Sequence, residues 1–409
     1  MAAAWVDRIL MGAIEKMADP IPICLQLGAP SSGLPPAPFT LPTLWLKDRR
    51  ALIALLRNPA INFGELYSEG RLEIEGDLVR LLENLYRIPQ GAVARIASRC
   101  YGWMQFNSLR GSRKNIHHHY DISNEFYRMW LDAEMVYTCA YFPHENASLE
   151  DAQRAKLELV CRKLCLRPGE TVVEAGCGWG ALALYMAKYY GVRVKAFNIS
   201  HEQIAFARER AQREGLSSQV EFLEDDYRNI SGSFDAFVSV GMLEHVGRSH
   251  YKEFGRVIHR AIGNRGRGLL HFIGKNRRQP LSAWIRKRIF PGGSTPPLRD
   301  VMHVLEPHDY SVVDIENLRP HYAKTCEYWL NRFEQCYDRV VEQYGVIFAR
   351  MWRLYLAGST AAFRAGGLQL FQLVFTGRAC NSLPWTRDHL YRKTASQSGQ
   401  DVEWIHAMS

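Results

Sequence analysis

Residues 172–200, VVEAGCGWGALALYMAKYYGVRVKAFNIS, constrain the fold more than any other stretch of the chain. A strand-like run ends in a turn with glycine at 176, 178 and 180. An amphipathic helix follows, and a second strand-like run closes the unit. Strand signals recur at 192–197, 220–223, 236–240 and 268–273, with amphipathic stretches between them. That alternation predicts a doubly wound, mostly parallel sheet with helices on both faces. Two long helical stretches, roughly 321–341 and 343–364, then precede an apolar run, LQLFQLVFTG, placed to close the sheet.

Gly176, Gly178 and Gly180 let the backbone turn tightly and approach a ligand that larger side chains would exclude. Gly176, Gly178 and Ala181 also satisfy the dinucleotide fingerprint with alanine in third place. Two details argue against a nicotinamide cofactor. Glu174 stands two residues before the first glycine, where a carboxylate can face a cationic ligand. The second strand ends in Phe197 and Asn198, where a ribose-binding acid would be expected. A phosphate-free cationic nucleoside, S-adenosylmethionine, meets both conditions, because its amino group and sulfonium favour acidic company. The plain alternative is a glycine turn that only packs helix on strand.

With 409 residues, 47% hydrophobic and 23% charged, the chain has room for two or three globular domains. Its net charge of +9 points to an acidic partner, and nucleic acid, an anionic membrane face and a phosphorylated substrate all fit. Nucleic acid is the weakest of these, since no recognised binding motif accompanies the charge. Nine cysteines lack CxxC pairs or metal-ligand spacing, which suits a reducing compartment, free thiols and no metal site. Asp7 and Arg8 interrupt any signal-peptide core, and no apolar run of about 18 residues occurs. A cytosolic protein that touches a membrane only from outside is expected.

The first 22 residues carry a helical apolar pattern, read as a packing arm in preference to a surface anchor. Residues 27–43, rich in Pro, Gly and Ser, read as a loop. Leu72 and Ile74 alternate as in a strand, and a helix begins near Leu78. The chain thus divides into a small first domain over 1–95, a basic connector over 96–118, a catalytic domain over 119–395 and a tail over 396–409. Within the connector and its edge, consecutive His117, His118 and His119 cannot all face one metal and read as a surface run.

Seven blocks occur in a fixed order: HYDISNEFYRMWLDAEMVYTCAYF (119–142), EAGCGWG (174–180), FNISHEQ (197–203), GMLEHVG (241–247), LLHFIGK (269–275), PHYAKT (320–325) and FRAGGLQLFQLVF (363–375). In this the chain resembles the cyclopropane-fatty-acyl-phospholipid synthases and mycolic acid cyclopropane synthases, over about 115–380. The resemblance implies a class I S-adenosylmethionine-dependent methyltransferase, an α/β Rossmann-like fold with a seven-stranded, mostly parallel sheet. A small N-terminal α+β lipid-binding domain goes with it. The implied reaction moves a methylene group from S-adenosylmethionine to a cis double bond of unsaturated acyl chains in membrane phospholipids. It passes through a carbocation that bound bicarbonate deprotonates.

The cofactor contacts implied by the resemblance are Tyr137, Thr138, Glu174, Gly176, Gly178, Gly180, Asn198, Ile199, Gln203, Asp226 and Tyr227. Neutral Asn198 and Gln203 then do the hydrogen bonding that an acid does elsewhere. The implied bicarbonate ligands are Cys139 and Ile273 through backbone groups, and Glu244, His271 and Tyr322 through side chains. Bicarbonate carries an O–H that Glu244 can accept, while His271 and Tyr322 donate to its other oxygens. A cation in a dry cavity calls for aromatic walls, and Tyr137, Tyr141, Phe142, Trp179, Tyr322 and Trp329 stand near the blocks. Read without the neighbouring blocks, Glu244–His245 is a polar helix start and His271 a core histidine. Many relatives carry a cysteine, once proposed as a nucleophile, where this chain has Ser359; a serine without an evident base makes a covalent route there unattractive.

KNRRQPLSAWIRKRIFPGG (275–293) mixes six cations with Trp284, Ile285, Ile289 and Phe290. It suits the interface of an anionic bilayer and suits a solvated charged loop equally. The expected location is the cytoplasm, peripherally at the inner face of the cytoplasmic membrane. The resemblance also implies a homodimer, which no residue pattern establishes. A methyl- or methylene-branched product from the same cation, and small-molecule N-methylation on the same scaffold, stay open as alternatives.

Overall fold

The computed structural model describes residues 11–12, 24–28, 42–87 and 123–391. The amphipathic pattern over 1–22 (residues 11–12 apart), the loop over 29–41, the connector over 96–118 with His117–His119, and the tail over 396–409 lie outside the described residues. The chain divides into two compact units, one built from 1–104, 279–291 and 326–368, the other from 105–278, 292–325 and 369–409.

In the first unit, β1 (Cys24–Leu27) pairs in parallel with β2 (Thr43–Leu46), which pairs antiparallel with β3 (Leu72–Glu75). Between β2 and β3 run α1 (Arg49–Arg57) and α2 (Pro59–Ser68), and α3 (Leu78–Arg87) follows β3. Asp48 caps α1 by accepting from the Ala51 amide at 2.7 Å. Pro59 opens α2, where its missing N–H costs nothing. Later segments complete this unit. Arg350, in the helix Val346–Arg364, donates to Tyr67 O at 2.6 Å and to Glu73 at 2.9 Å. Trp284 packs against Gly64, where a Cβ would lie only 2.4 Å from the indole.

The basic stretch thereby loses part of its surface character. Trp284 and Ile289 are buried. Lys287 and Arg288 both pair with Glu65, whose carboxyl they hold below its ordinary range against burial.

The second unit is a seven-stranded sheet in the order β6-β5-β4-β7-β8-β10-β9. Its strands are β4 (Thr171–Ala175), β5 (Arg193–Asn198), β6 (Val220–Glu224), β7 (Ala236–Val240), β8 (Arg267–Gly274), β9 (Ser311–Asn317) and β10 (Gln369–Thr376). The first five are parallel, and β10 runs antiparallel to both of its neighbours. The expected doubly wound sheet is therefore present.

Alternate residues of each strand feed opposite faces. Val172, Val194, Val238, Leu269 and Val374 pack under α4 (Leu149–Lys163), α5 (Ala181–Tyr190) and α6 (His201–Arg213). Val173, Phe197, Phe237, Leu270 and Phe375 pack under α8 (Tyr251–Ile262), which follows the short α7 (Leu243–Val246).

Two expectations need correction. LQLFQLVFTG does not close the sheet: β10 is buried at every position and lies inside it, between β8 and β9. The edge is β9, SVVDIEN, which the apolar pattern did not announce because it is exposed along much of its length. The expected pair of helices is three, α9 (Arg319–Gln335) followed by helices at Tyr337–Tyr344 and Val346–Arg364. Gly345, with φ of 85°, ends the second of them, while the break at Cys336 carries no glycine or proline.

Candidate active site

The glycine loop leaves the carboxyl end of β4, beside the switch point where the strand order reverses between β4 and β7. The amides of Gly176 and Cys177 donate to Phe197 O at 2.9 and 3.1 Å, tying the loop to the end of β5. The three glycines have different reasons to be glycine. A Cβ on Gly176 would meet Met242 at 2.9 Å, and one on Gly180 would meet Phe222 at 2.7 Å and Ala207 at 2.9 Å. At Gly178 (φ of 54°) a Cβ would meet nothing within 4 Å, so this residue faces open space.

Glu174 lies beneath the loop, buried, with Oε2 lacking a partner in the protein. Burial pushes its carboxyl up to about 8, against the pull of Lys156 and the Ala183 amide. A buried carboxyl oxygen beside an open glycine cradle fits a cationic nucleoside. Asn198 accepts from the Ile199 amide at 2.8 Å and donates to Gly178 O at 3.3 Å and to Gln203 Oε1 at 2.7 Å. Its side chain thus ties the glycine loop to the end of β5 and the start of α6. Asp226 accepts from the Arg228 amide at 3.0 Å, and Tyr227 beside it is buried.

Tyr137 and Thr138 follow a tight turn at 132–136. Asp132 accepts from the Glu134 amide at 3.0 Å and the Val136 amide at 2.9 Å, holding Met135 at φ of 57°. Lys156 of α4 donates to Thr138 Oγ1 at 3.1 Å, and burial draws its ammonium down to about 8. Tyr137 sits 5.4 Å from Tyr127 and 5.3 Å from Trp130, centroid to centroid, and Tyr127 sits 5.0 Å from Trp179. Tyr127 and Trp130 both fall in the block 119–142, where no periodic pattern marks them; the fold brings them to Tyr137.

The five residues expected around the second ligand also belong to this unit. Glu244 Oε1 accepts from the Ile273 amide at 2.6 Å, so that N–H is already engaged. Glu244 Oε2 is buried with no partner in the protein, and burial pushes the carboxyl up to about 7. His271 lies one pleat before Ile273 on the same face of β8. Its Nδ1 meets Gln372 at 3.0 Å, and its Nε2 is buried with no partner in the protein.

Cys139 is fully buried and its thiol faces Ala140 O at 3.1 Å. The following strand of chain docks on α9, with the Ala140 amide on Thr325 Oγ1 and the Phe142 amide on His321 Nδ1, both at 3.0 Å. Tyr322, buried, stands on that same stretch of α9. Thr138 connects the two halves of the site: a Cβ on Gly241 would lie 2.9 Å from its methyl group, and the Gly241 amide donates to His271 O at 2.8 Å.

Of the remaining aromatics, Tyr141 stacks on His321 at 4.7 Å. Trp329 and Ser359 belong to the first unit, the latter inside the helix Val346–Arg364. Among the described residues no group of three or more His, Cys, Asp or Glu side chains is arranged to hold a metal ion, and no helix is long and apolar enough to cross a membrane.

A mostly parallel seven-stranded sheet in this order, with an acid beneath a glycine loop at the switch point, is the fold of a class I S-adenosylmethionine-dependent methyltransferase. Within that class the chain belongs to the mycolic acid cyclopropane synthetase family, whose model matches residues 107–373. It is 34% identical over 86% of its length to a probable fatty acid methyltransferase of Pseudomonas putida, covering 91% of that protein. It is 35% identical over 80% of its length to the cyclopropane-fatty-acyl-phospholipid synthase of Escherichia coli K12, covering 86% of it. Among solved structures it resembles mycolic acid cyclopropane synthase CmaA1 in complex with SAH and CTAB. The TM-score is 0.61 and the identity 29%, over 64% of this chain and 97% of that one. The chain is an S-adenosylmethionine-dependent enzyme of this family.

Proposed function

We propose that this enzyme transfers a methylene unit from S-adenosylmethionine to a cis double bond in the unsaturated acyl chains of membrane phospholipids, forming a cyclopropane. The observation that carries the reading is a pair of buried polar atoms without partners in the protein, Glu244 Oε2 and His271 Nε2, in the same unit as the cofactor loop. The kinship with the fatty acid methyltransferase of P. putida and the cyclopropane-fatty-acyl-phospholipid synthase of E. coli supports an acyl-chain substrate.

S-adenosylmethionine, when bound, supplies an electrophilic methyl carbon. Glu174 would face its positive charge, Gly178 would leave room for it, and Tyr137, Thr138, Gly176, Gly180, Asn198, Ile199, Gln203, Asp226 and Tyr227 would enclose it. Methyl transfer leaves a cation on the acyl chain, and loss of a proton from the transferred carbon closes the ring. Bicarbonate, when bound, would accept that proton. Glu244 Oε2 would take the hydrogen bond of its O–H, His271 and Tyr322 would donate to its oxygens, and Cys139 and Ile273 would line it with backbone groups. Ile273 can contribute only through what its bond to Glu244 leaves over. Buried walls exclude the water that would quench the cation, and the aromatic faces around Tyr137 stabilise positive charge.

The small domain over 1–95 would handle lipid, the segment over 96–118 would connect it to the catalytic domain over 119–395, and 396–409 would be a tail. The enzyme would work in the cytoplasm, peripherally at the inner face of the membrane, where its net charge of +9 favours anionic phospholipid. Homodimerisation belongs to the same reading.

Mass spectrometry of lipids from cells expressing the chain tests it: unsaturated phospholipids should gain about 14 mass units, the CH₂ increment of one-carbon transfer to an alkene. Mild hydrogenation separates a ring, which resists it, from a methylene branch, which takes up two hydrogens. Unaltered lipids, or methylation of added amines instead, would refute the proposal.

A further inference from the structure

Three side chains that this chemistry leaves unused form a row across the sheet to His271. The strand register sets Gln372 of β10 opposite His271 of β8 on one side and opposite Glu316 of β9 on the other. The three residues therefore share one face of three neighbouring strands. Lys163, at the last turn of α4 on that face, closes the row. Its ammonium donates to Gln372 Oε1 at 2.7 Å and pairs with Glu316. The other end of the amide, Gln372 Nε2, lies 3.0 Å from His271 Nδ1. Lys163, Gln372 and His271 are all buried, and Glu316 forms the partly exposed end.

The ammonium decides how the amide is oriented. Lys163 has hydrogens to give and no lone pair, so the Gln372 atom beside it must be the oxygen. The atom facing His271 is then the NH₂ group, and Nδ1 must meet it with a lone pair. A neutral imidazole carries one ring hydrogen, and here that hydrogen is left to Nε2. Burial, with the positive charges of Lys156 and Lys163 nearby, keeps the ring neutral. Nε2 is the atom that is buried without a partner in the protein.

We propose that Gln372, anchored by Lys163 and Glu316, is a positioning residue that fixes His271 as the Nε2–H tautomer and so commits the ring to donating a hydrogen bond into the site. That the recipient is an oxygen of bicarbonate rests on the function proposed above; the tautomer itself does not. The opposite tautomer would aim a lone pair at the anion and repel it. Glutamine is suited to the task because it accepts at one end and donates at the other, so the fixed positive charge of Lys163 is converted into a fixed hydrogen position two groups away.

The test is long-range ¹H–¹⁵N correlation NMR on the full chain labelled at histidine, with the His271 signals assigned by their loss in His271→Gln. The wild-type ring should be neutral and protonated at Nε2, and a ring protonated at Nδ1 would overturn the inference whatever the variants at Gln372 and Lys163 do. Gln372→Glu puts an acceptor against Nδ1 and should move the proton to Nδ1. Lys163→Met frees the amide to rotate and should give a mixture of both tautomers; retention of pure Nε2–H in both variants would also overturn it. In turnover assays Gln372→Glu should lose about 10²-fold and weaken the dependence on added bicarbonate, with SAH affinity within about twofold of wild type. A ring protonated at Nε2 in the wild type, combined with turnover indifferent to Gln372→Glu, would sink the bicarbonate role of His271 and leave the tautomer standing.

Discussion

The Ile273 amide donates to Glu244 Oε1 at 2.6 Å, while the other oxygen of the same carboxyl is buried with no partner in the protein. One oxygen orients the group, and the proposed function assigns the second to the bound anion. Replacing Glu244 by Gln keeps the size and removes the accepting charge. Turnover should fall by about 10²–10⁴-fold with SAH affinity unchanged, as general acid–base groups do. Steady-state kinetics beside calorimetric titration with SAH checks this; equal losses in both would contradict it.

Burial pushes the Glu244 carboxyl up to about 7 from an ordinary value of 4.5. The folded protein therefore holds this proton to higher pH than the unfolded chain. The associated stability is fully present below pH 4.5 and is lost as pH rises through about 7. Denaturant unfolding of the cofactor-free protein should show wild type losing stability relative to Glu244→Gln over that window, by up to about 1.4 kcal/mol per pH unit. A difference that does not change with pH would refute the assignment.

Glu174 is poised to meet positive charge. Glu174→Gln should weaken cofactor binding by about 1–3 kcal/mol, roughly 5- to 150-fold, the range for a lost charge-assisted hydrogen bond. The same change should leave thermal stability of the cofactor-free protein equal or higher, because a buried carboxyl is removed. Titration calorimetry and thermal melts together check both halves.

Gly178 and Gly180 should respond differently to alanine. At Gly180 the new methyl would press on Phe222 and Ala207 with φ at 85°, and the fold should lose about 2–4 kcal/mol. At Gly178 there is space, so stability should fall by only about 1–2 kcal/mol for the left-handed backbone, while cofactor affinity falls more as the methyl enters the cradle. Melting temperature set against SAH affinity separates the two.

Much of this architecture is written locally. The glycine loop, the acid before it and the apolar runs of β4 to β8 depend on neighbours within a few residues, because glycine freedom and strand alternation are short-range properties. The family blocks carried the reading from fold to chemistry. The edge strand β9 escaped because Val312, Val313 and Ile315 are exposed, so its apolar residues do not mark a buried face. The break at Cys336 escaped because no local residue requires it.

What only the tertiary structure decided is pairing at long range. Gln372 is 101 residues from His271 and Lys163 is 209 residues from Gln372. Nothing in LQLFQLVFTG distinguishes Gln372 from a chance polar residue in an apolar strand. Sheet register brings those groups together, and burial then removes the water that would otherwise let each of them choose its own partner. The sequence by itself points to a cationic nucleoside at the loop; the proposed hydrogen position on His271 depends on the fold, because hydrogen-bond direction is a property of the whole row and of no single residue in it.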